Sequence, residues 1–276
     1  MSLLPAGMRA SRWIGWVLLC GGMAVAQIAL AQPNRLARIK AADELQVCMW
    51  PGYYGISLRN AKTGQVMGLD ADMAQELARS LKVRLKWVDT TFSKFIPDVL
   101  SDQCDIVMTG IAVTPQRATQ VAFSQPYMRS DMYAVTTRSH QRVRSWTDID
   151  QAGVRVAVAE GSVQESVMRE RIKKAELVVI VSPQTREAEL EAGRVDVFMS
   201  DYPFTRKMLD YNEWAQVIAP PAPFYFMTYA WVVKPGDAAW LATVNQFLST
   251  IKADGRLRQA ALRYRLDAML ITDPRP

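Results

Sequence analysis

The sequence predicts an α/β protein of two lobes, each a mostly parallel sheet flanked by helices, with two strands crossing between them as a hinge. Three observations carry that reading. β-Branched runs alternate with helical periods, the alternation is laid out twice in the same order, and the stretches joining the two halves are apolar and extended rather than Gly/Ser-rich. Strand–helix–strand alternation implies right-handed parallel crossovers, hence the parallel sheets.

In the first half, a strand at 45–50 leads to a hairpin-like turn at Thr63-Gly64, a helix at 72–81, a strand at 83–88, a helix at 93–100 and a strand at 104–109. Met73, Leu77 and Leu81 recur every four residues with Ala74 and Ala78 beside them, so the first helix buries one face. The second half repeats the order with a strand at 154–158, a helix at 163–173, a strand at 177–181, a helix at 186–192 and a strand at 195–199. The chain crosses out at 131–137 and back at 223–233. A last helix at 240–253 then places Leu241, Val244, Leu248 and Ile251 on one face, and Gly255 ends it as a left-handed cap. These boundaries define a leader at 1–31, a discontinuous first lobe at 32–134 and 224–276, and a second lobe at 135–223.

The 276 residues are 50% hydrophobic and 22% charged, with 14 Gly and 14 Pro, which excludes disordered, collagen-like and disulfide-dense classes. One His and three Cys are a poor ligand set, so no metal site, histidine-centred triad or cofactor is expected. His140, in the basic stretch 138–144, reads as a solvated loop residue. Arg9 and Arg12, the apolar run 13–26 and the small residues Ala29 and Ala31 before Gln32 form a secretory leader. No later stretch reaches the roughly 18 to 20 uncharged residues of a membrane helix, so the mature chain is expected to be exported and soluble. Cys20 follows Leu19, a bulky residue where lipoprotein processing wants a small one, so a lipid anchor is not expected. Removing 1–31 takes away two Arg and no acid and lowers the net charge from +6 to +4. The remaining basic residues are interleaved with acids, which argues against nucleic-acid binding.

Export bears on the other cysteines, because an oxidising compartment lets a pair close. Cys48 and Cys104 lie in or beside separate strands. If those strands are neighbours, a Cys48–Cys104 bridge closes a long loop; the other reading is two separate small core residues.

The sharpest local signal follows the strand that ends at Met108. Thr114 is a good N-cap and Pro115 suits the first helical position, so a helix starts here, and Arg117 then falls in its first turn, where the macrodipole disfavours a cation. A bound carboxylate would resolve that conflict by taking a bidentate fork from Arg117; pairing with a surface acid is the plainer explanation. Ser162, three residues before Glu165, makes a capping box at a second helix start. Asp201 follows the strand at 195–199 and either caps the next helix or binds an amine. Trp50, Tyr53, Tyr54 and Phe92 gather at strand ends, where flat apolar walls suit a small-molecule pocket. Phosphate-binding glycine fingerprints and a Gly-x-Ser-x-Gly elbow are missing from the sequence.

Several segments together, LQV at 45–47, GLDADMAQEL at 68–77, CDIVMTG at 104–110, VTPQR at 113–117, FSQPY at 123–127, GSVQE at 161–165 and DVFMSD at 196–201, resemble the family 3 solute-binding proteins of polar amino acid ABC transporters. Their order and spacing match over 39–265. The resemblance implies a type II periplasmic binding protein fold and a monomeric receptor, without cofactor, that closes on an amino acid or related small carboxylate and delivers it to an inner-membrane ABC permease. Position by position, Arg117 matches the arginine that holds the α-carboxylate and Asp201 the aspartate that holds the α-amino group. Gly110 would offer its carbonyl to the ammonium, Ser162 would help hold the carboxylate, and Phe92 would cover the side chain. Tyr53, Ala112, Thr114 and Val163 complete the implied set. Ala112 stands where many members have Ser or Thr, and Gly52 near a position often acidic. Both changes strip polar readout and favour a small, apolar or aromatic ligand over a basic one.

The sequence also looks like periplasmic cyclohexadienyl dehydratase, which converts prephenate or arogenate on the same scaffold. That family places a catalytic acid shortly after the aspartate matching Asp201, and the corresponding stretch here, Tyr202-Pro-Phe-Thr205, has no carboxyl group, so a receptor rather than an enzyme is expected. A third reading is a ligand-sensing or accessory protein for another periplasmic system.

Overall fold

Alternation of apolar residues in Leu45-Gln46-Val47 and the buried face of the Met73–Leu77–Leu81 helix build the first lobe as expected. The computed structural model describes residues 34–271; the leader and Cys20 lie outside them. Helix α1 (Arg35–Ala42) enters β1 (Glu44–Met49), followed by β2 (Gly52–Tyr53), β3 (Ser57–Arg59), β4 (Val66–Met67), α2 (Leu69–Leu81), β5 (Arg84–Asp89), α3 (Phe95–Leu100) and β6 (Ile106–Ala112). A single-turn helix α4 (Pro115–Ala118) and the short strands β7 (Ala122–Phe123) and β8 (Met128–Ser130) complete this stretch. The second lobe holds β9 (Met132–Thr137), β10 (Arg155–Ala159), α5 (Val163–Arg171), β11 (Glu176–Ile180), α6 (Arg186–Glu191), β12 (Val197–Asp201), α7 (Tyr202–Tyr211) and β13 (Ala215–Ile218). The chain returns through β14 (Met227–Val233) to α8 (Ala238–Ala253) and α9 (Arg256–Arg263).

Both large sheets share one plan. The first has the order β5-β1-β6-β14-β7, with β8 also on β14; the second has the order β11-β10-β12-β9-β13. In each, three strands run parallel with the earliest in the middle, so the connections leave in opposite directions from one point. Antiparallel neighbours are added by the crossing segments, β14 beside β6 and β9 beside β12. Each sheet is therefore mixed around a parallel centre, because the strands arriving from the other lobe enter from the opposite end. A reversal of strand order opens a crevice at the carboxyl ends of the strands, which is where ligands bind in such sheets.

Crossing points are tied together. The Asp131 carboxylate, between β8 and β9, accepts the backbone N–H groups of Met132 (2.7 Å), Tyr225 (2.8 Å) and Phe224 (3.0 Å), the last two on the returning segment. In the first sheet, Cys48 and Cys104 form a disulfide with their Cα atoms 5.6 Å apart, so the bridged reading is the one realised. Gly68 takes a φ of +131° where α2 begins, and a Cβ there would stand 2.3 Å from the Ile56 carbonyl carbon, so only glycine fits. Among the described residues no helix is long and apolar enough to cross a membrane.

His140 departs from expectation. Its side chain is only 16% exposed, and the N–H groups of Val143 (2.9 Å) and Arg142 (3.3 Å) both point at Nδ1. The proton therefore sits on Nε2, which donates to Asp196 at 3.2 Å. A polar neighbourhood made the residue look solvated; its actual work is to brace the loop after β9.

Candidate functional site

Carboxyl ends of strands from both sheets converge on one pocket. Tyr53, Phe92, Gly110, Ala112, Arg117, Ser162, Val163 and Asp201, all expected from the sequence, line it. Thr114 does not: it caps α4 by accepting the Arg117 N–H (3.2 Å) and faces an adjoining groove beside Phe92 and Arg117. Trp50, Gln164, Arg186, Ser200, Phe204 and Tyr229 join the wall in addition. Tyr54 lies elsewhere, edge-on to Tyr211.

Arg117 is nine-tenths buried, and its guanidinium lies over the Phe95 ring at 5.3 Å. It donates to the carbonyls of Ala112 in its own lobe and Gly161 in the other, each at 2.8 Å. Among the described residues no carboxylate pairs with it, so the surface-acid explanation of this arginine falls away. Burial pushes its pKa down to about 10, with weak opposition from Tyr225 and Tyr229, and it stays charged at neutral pH. Because α4 is a single turn, its dipole adds little, and the positive charge at this end of the pocket is that of the side chain.

Asp201 is both a helix cap and a wall of the pocket. Its Oδ1 accepts the Phe204 N–H at 3.4 Å, and its Oδ2 accepts hydroxyls of Tyr53 and, at 2.7 Å, Tyr229, both from the first lobe. Burial, and then the Asp201 charge, push both phenols well above their ordinary range, so they stay protonated donors. Ser162 spends its hydroxyl hydrogen on the Ala159 carbonyl (2.7 Å) and accepts the Glu165 N–H (3.2 Å). The reciprocal Glu165 bond falls on the Gly161 N–H (2.7 Å) rather than on that of Ser162, a shifted form of the expected capping box.

Gly110 is set from behind. Its φ is +58°, and its N–H donates to the buried Asp70 at 2.7 Å, an acid that also accepts Tyr127 Oη (2.7 Å) and Trp231 Nε1 (3.0 Å). A Cβ at position 110 would meet the Tyr53 ring at 3.0 Å. Trp50, Tyr53 and Phe92 pack as a triangle of rings with centroids 5.1 to 5.9 Å apart, and Phe204 faces Trp50 from the second lobe at 6.4 Å. At Gly52 a Cβ would lie 3.0 Å from the Trp50 indole, so a side chain there would press on that ring.

Arg186 is the charged residue of the pocket wall that was not expected from the sequence. It is 6% exposed, donates from Nη1 to the Met199 carbonyl (2.7 Å) and sits over the Phe204 ring at 4.6 Å and the Phe198 ring at 5.3 Å. The signal was the one that found Arg117: Thr185 caps α6 and puts a cation in the first turn of a helix that follows a parallel strand.

Two α/β lobes with a shared pocket at their strand ends, walled by aromatic rings and holding a buried arginine, define a small-solute-binding architecture. Residues 45–267 match the bacterial extracellular solute-binding proteins, family 3, and the chain belongs to that family. It is 31% identical to the cyclohexadienyl dehydratase of Pseudomonas aeruginosa over 252 residues, covering 91% of this chain and 93% of that protein. It is 25% identical to the ABC transporter arginine-binding protein 1 of Escherichia coli over 209 residues, 75% of this chain and 83% of the other. Among solved structures, an ancestral amino acid-binding protein described as a precursor of cyclohexadienyl dehydratase superposes with a TM-score of 0.75 at 28% identity, over 83% of this chain and 98% of that one.

Proposed function

We propose that this protein is a periplasmic receptor that captures an amino acid or related small carboxylate between its lobes and delivers it to an ABC-type permease. One observation carries the reading: Arg117 is a buried guanidinium with no acidic partner among the described residues, aimed into a pocket that both lobes build. A charge held out of water without a counter-ion is costly, and a ligand carboxylate supplies one. The lobes are residues 32–134 with 224–276, and 135–223, and ligand binding draws them together about the two crossings near Asp131. On this reading Asp201 and Gly110 receive an ammonium group, Phe92 and Tyr53 cover the ligand body, and Ala112, Ser162 and Val163 shape the walls. The leader at 1–31 directs export, and the mature protein acts as a monomer.

The test is a thermal-shift screen of protein unfolded and refolded to strip bound ligand, against the standard amino acids, small carboxylic acids and prephenate. A ligand at about 100 times its dissociation constant adds about 2.7 kcal/mol, which raises the midpoint by several degrees. A response to an amino acid or carboxylate without turnover supports the receptor; silence across the panel overturns it.

A second reading, a dehydratase, is favoured by the 31% identity to an enzyme of that name. Against it, Asp201 is the only carboxylate among the described residues that lines the pocket, and it already accepts three donors. Prephenate consumption in the same screen would establish the enzyme.

A further inference from the structure

We propose that the pocket is built for a small dicarboxylate, with one carboxylate held by Arg117 and the second by Arg186. This rests on the receptor reading and narrows its ligand class. Two guanidiniums, one from each lobe, line the same pocket, each more than nine-tenths buried and neither within salt-bridge distance of an acid among the described residues. Of five N–H donors each, Arg117 spends two hydrogen bonds on carbonyls and Arg186 one, so donors remain on both for a ligand. Glu187 and Asp201 lie near enough to favour the charge on Arg186, but from beyond salt-bridge distance, and both are engaged elsewhere. Glu187 is engaged by Lys207 at 2.9 Å, and Asp201 accepts two tyrosine hydroxyls and a backbone N–H.

Neutral groups of the wall point the same way. The Gln164 amide and the Ser200 hydroxyl, 6% and 1% exposed, also line the pocket and have no side-chain hydrogen bond among the described residues. Their polar atoms open onto the pocket, where a second set of carboxylate oxygens would bond to them together with Arg186. Arg186 is also fixed in place by the Met199 carbonyl and two aromatic faces, so little ordering is left for a ligand to impose. Two guanidiniums and one carboxylate among the described residues line the pocket, and Glu187 beside Arg186 is balanced by Lys207, so the wall disfavours a basic side chain. Its preference therefore departs from that named for the arginine-binding relative of Escherichia coli.

The experiment is calorimetric titration of the stripped, refolded protein with matched pairs that differ by one charge: L-glutamate against L-glutamine, L-aspartate against L-asparagine, and succinate against succinamate. 2-Oxoglutarate, prephenate, L-alanine, L-phenylalanine and L-arginine complete the panel. At least one dicarboxylate should bind 100-fold or more tightly than its monoamide or than any monocarboxylate. In Arg186→Met, which keeps the bulk but not the charge, that ratio should fall below about fivefold; should this variant not fold, the pairs on the unaltered protein decide alone. Dicarboxylates with and without an amine separate through Asp201: if the ligand carries an ammonium, Asp201→Asn weakens it and leaves the deaminated analogue unchanged. Tightest binding by a monocarboxylate or by arginine overturns the proposal and leaves the receptor standing. Silence across the panel overturns both.

Discussion

Arg117 reaches across the cleft and donates to the Gly161 carbonyl at 2.8 Å, so the side chain expected to hold the ligand also joins the two lobes. Gly161 has a φ of +70°, and its Cα side is pressed against the backbone of Phe92 and Ser93 in the first lobe. One glycine thus serves both the electrostatic contact and the closest approach of main chain to main chain.

Replacing Gly161 by alanine should separate these effects. The new Cβ would stand 2.5 Å from Ser93 N and Cα, both backbone atoms, and cannot be accommodated without moving the lobes apart. We expect a ligand identified in the screen to bind at least 50-fold more weakly, with native secondary structure and a larger radius of gyration in its presence. Unchanged affinity and size would show that the approach at Gly161 is dispensable.

Arg117→Ala removes the buried charge together with its two carbonyl contacts, and binding should be lost. Fold stability should change by only about 1 to 3 kcal/mol, because the desolvation cost of the guanidinium goes too. Arg117→Lys keeps the charge but not the planar fork and should bind at least tenfold more weakly than the parent. Equal affinity of the lysine and arginine forms in titration would remove the bidentate assignment.

The disulfide closes a loop with a sequence separation of 56, which in the chain-entropy account stabilises the fold by about 4 kcal/mol. Cys48→Ala/Cys104→Ala, or reduction, should lower the melting midpoint by about 8 to 15 °C. Scanning calorimetry of the oxidised and reduced protein checks this; coincident midpoints would refute it.

Two buried aspartates oppose each other in pH dependence. Burial lifts the Asp70 carboxyl to about 6, only partly offset by hydrogen bonds from Tyr127, Trp231 and Gly110. Its folded value lies above the unfolded one, so its contribution is greatest below about pH 4 and is lost as pH rises through about 6. Burial would also raise Asp196, but the Arg155 N–H and the Arg142 and His140 side chains outweigh it and hold that carboxyl below its ordinary value. Its contribution is present above about pH 4 and is lost as pH falls further. In urea denaturation, Asp70→Asn should therefore cost more stability at pH 4 than at pH 7, and Asp196→Asn should cost more at pH 7 than at pH 3. A pH-independent penalty in either variant would count against its stated environment.

Most of the framework could be read from the sequence because burial imposes a period on it. Met73, Leu77 and Leu81 mark α2, and the Val/Ile runs mark the central strands. Short elements escaped: β2 has two residues, and α1 buries only Ile39, too little pattern for a period to register. Arg117 was found because it breaks a local rule at a strand end. Arg186 breaks the same rule, but Glu187 and Glu189 in its first turn mask the conflict by giving the helix start its ordinary acidic character. Tyr229 and Phe204 were out of reach for another reason. Nothing local distinguishes a pocket-facing tyrosine on a crossing strand from a core one, and only the packing of the lobes decides.

The pairing of Ser130 with Met227 places the points where the chain leaves and re-enters the first sheet directly opposite each other on neighbouring strands. Everything between them, including Ser162, Arg186 and Asp201, is spliced into the parent sheet as one contiguous block. Such a block can be exchanged between relatives by two cuts at a single place, carrying the Ser162, Arg186 and Asp201 side of the pocket wall with it while the Arg117 side stays behind. Selectivity in this architecture can therefore be recombined by segment transfer, and it need not be rebuilt residue by residue.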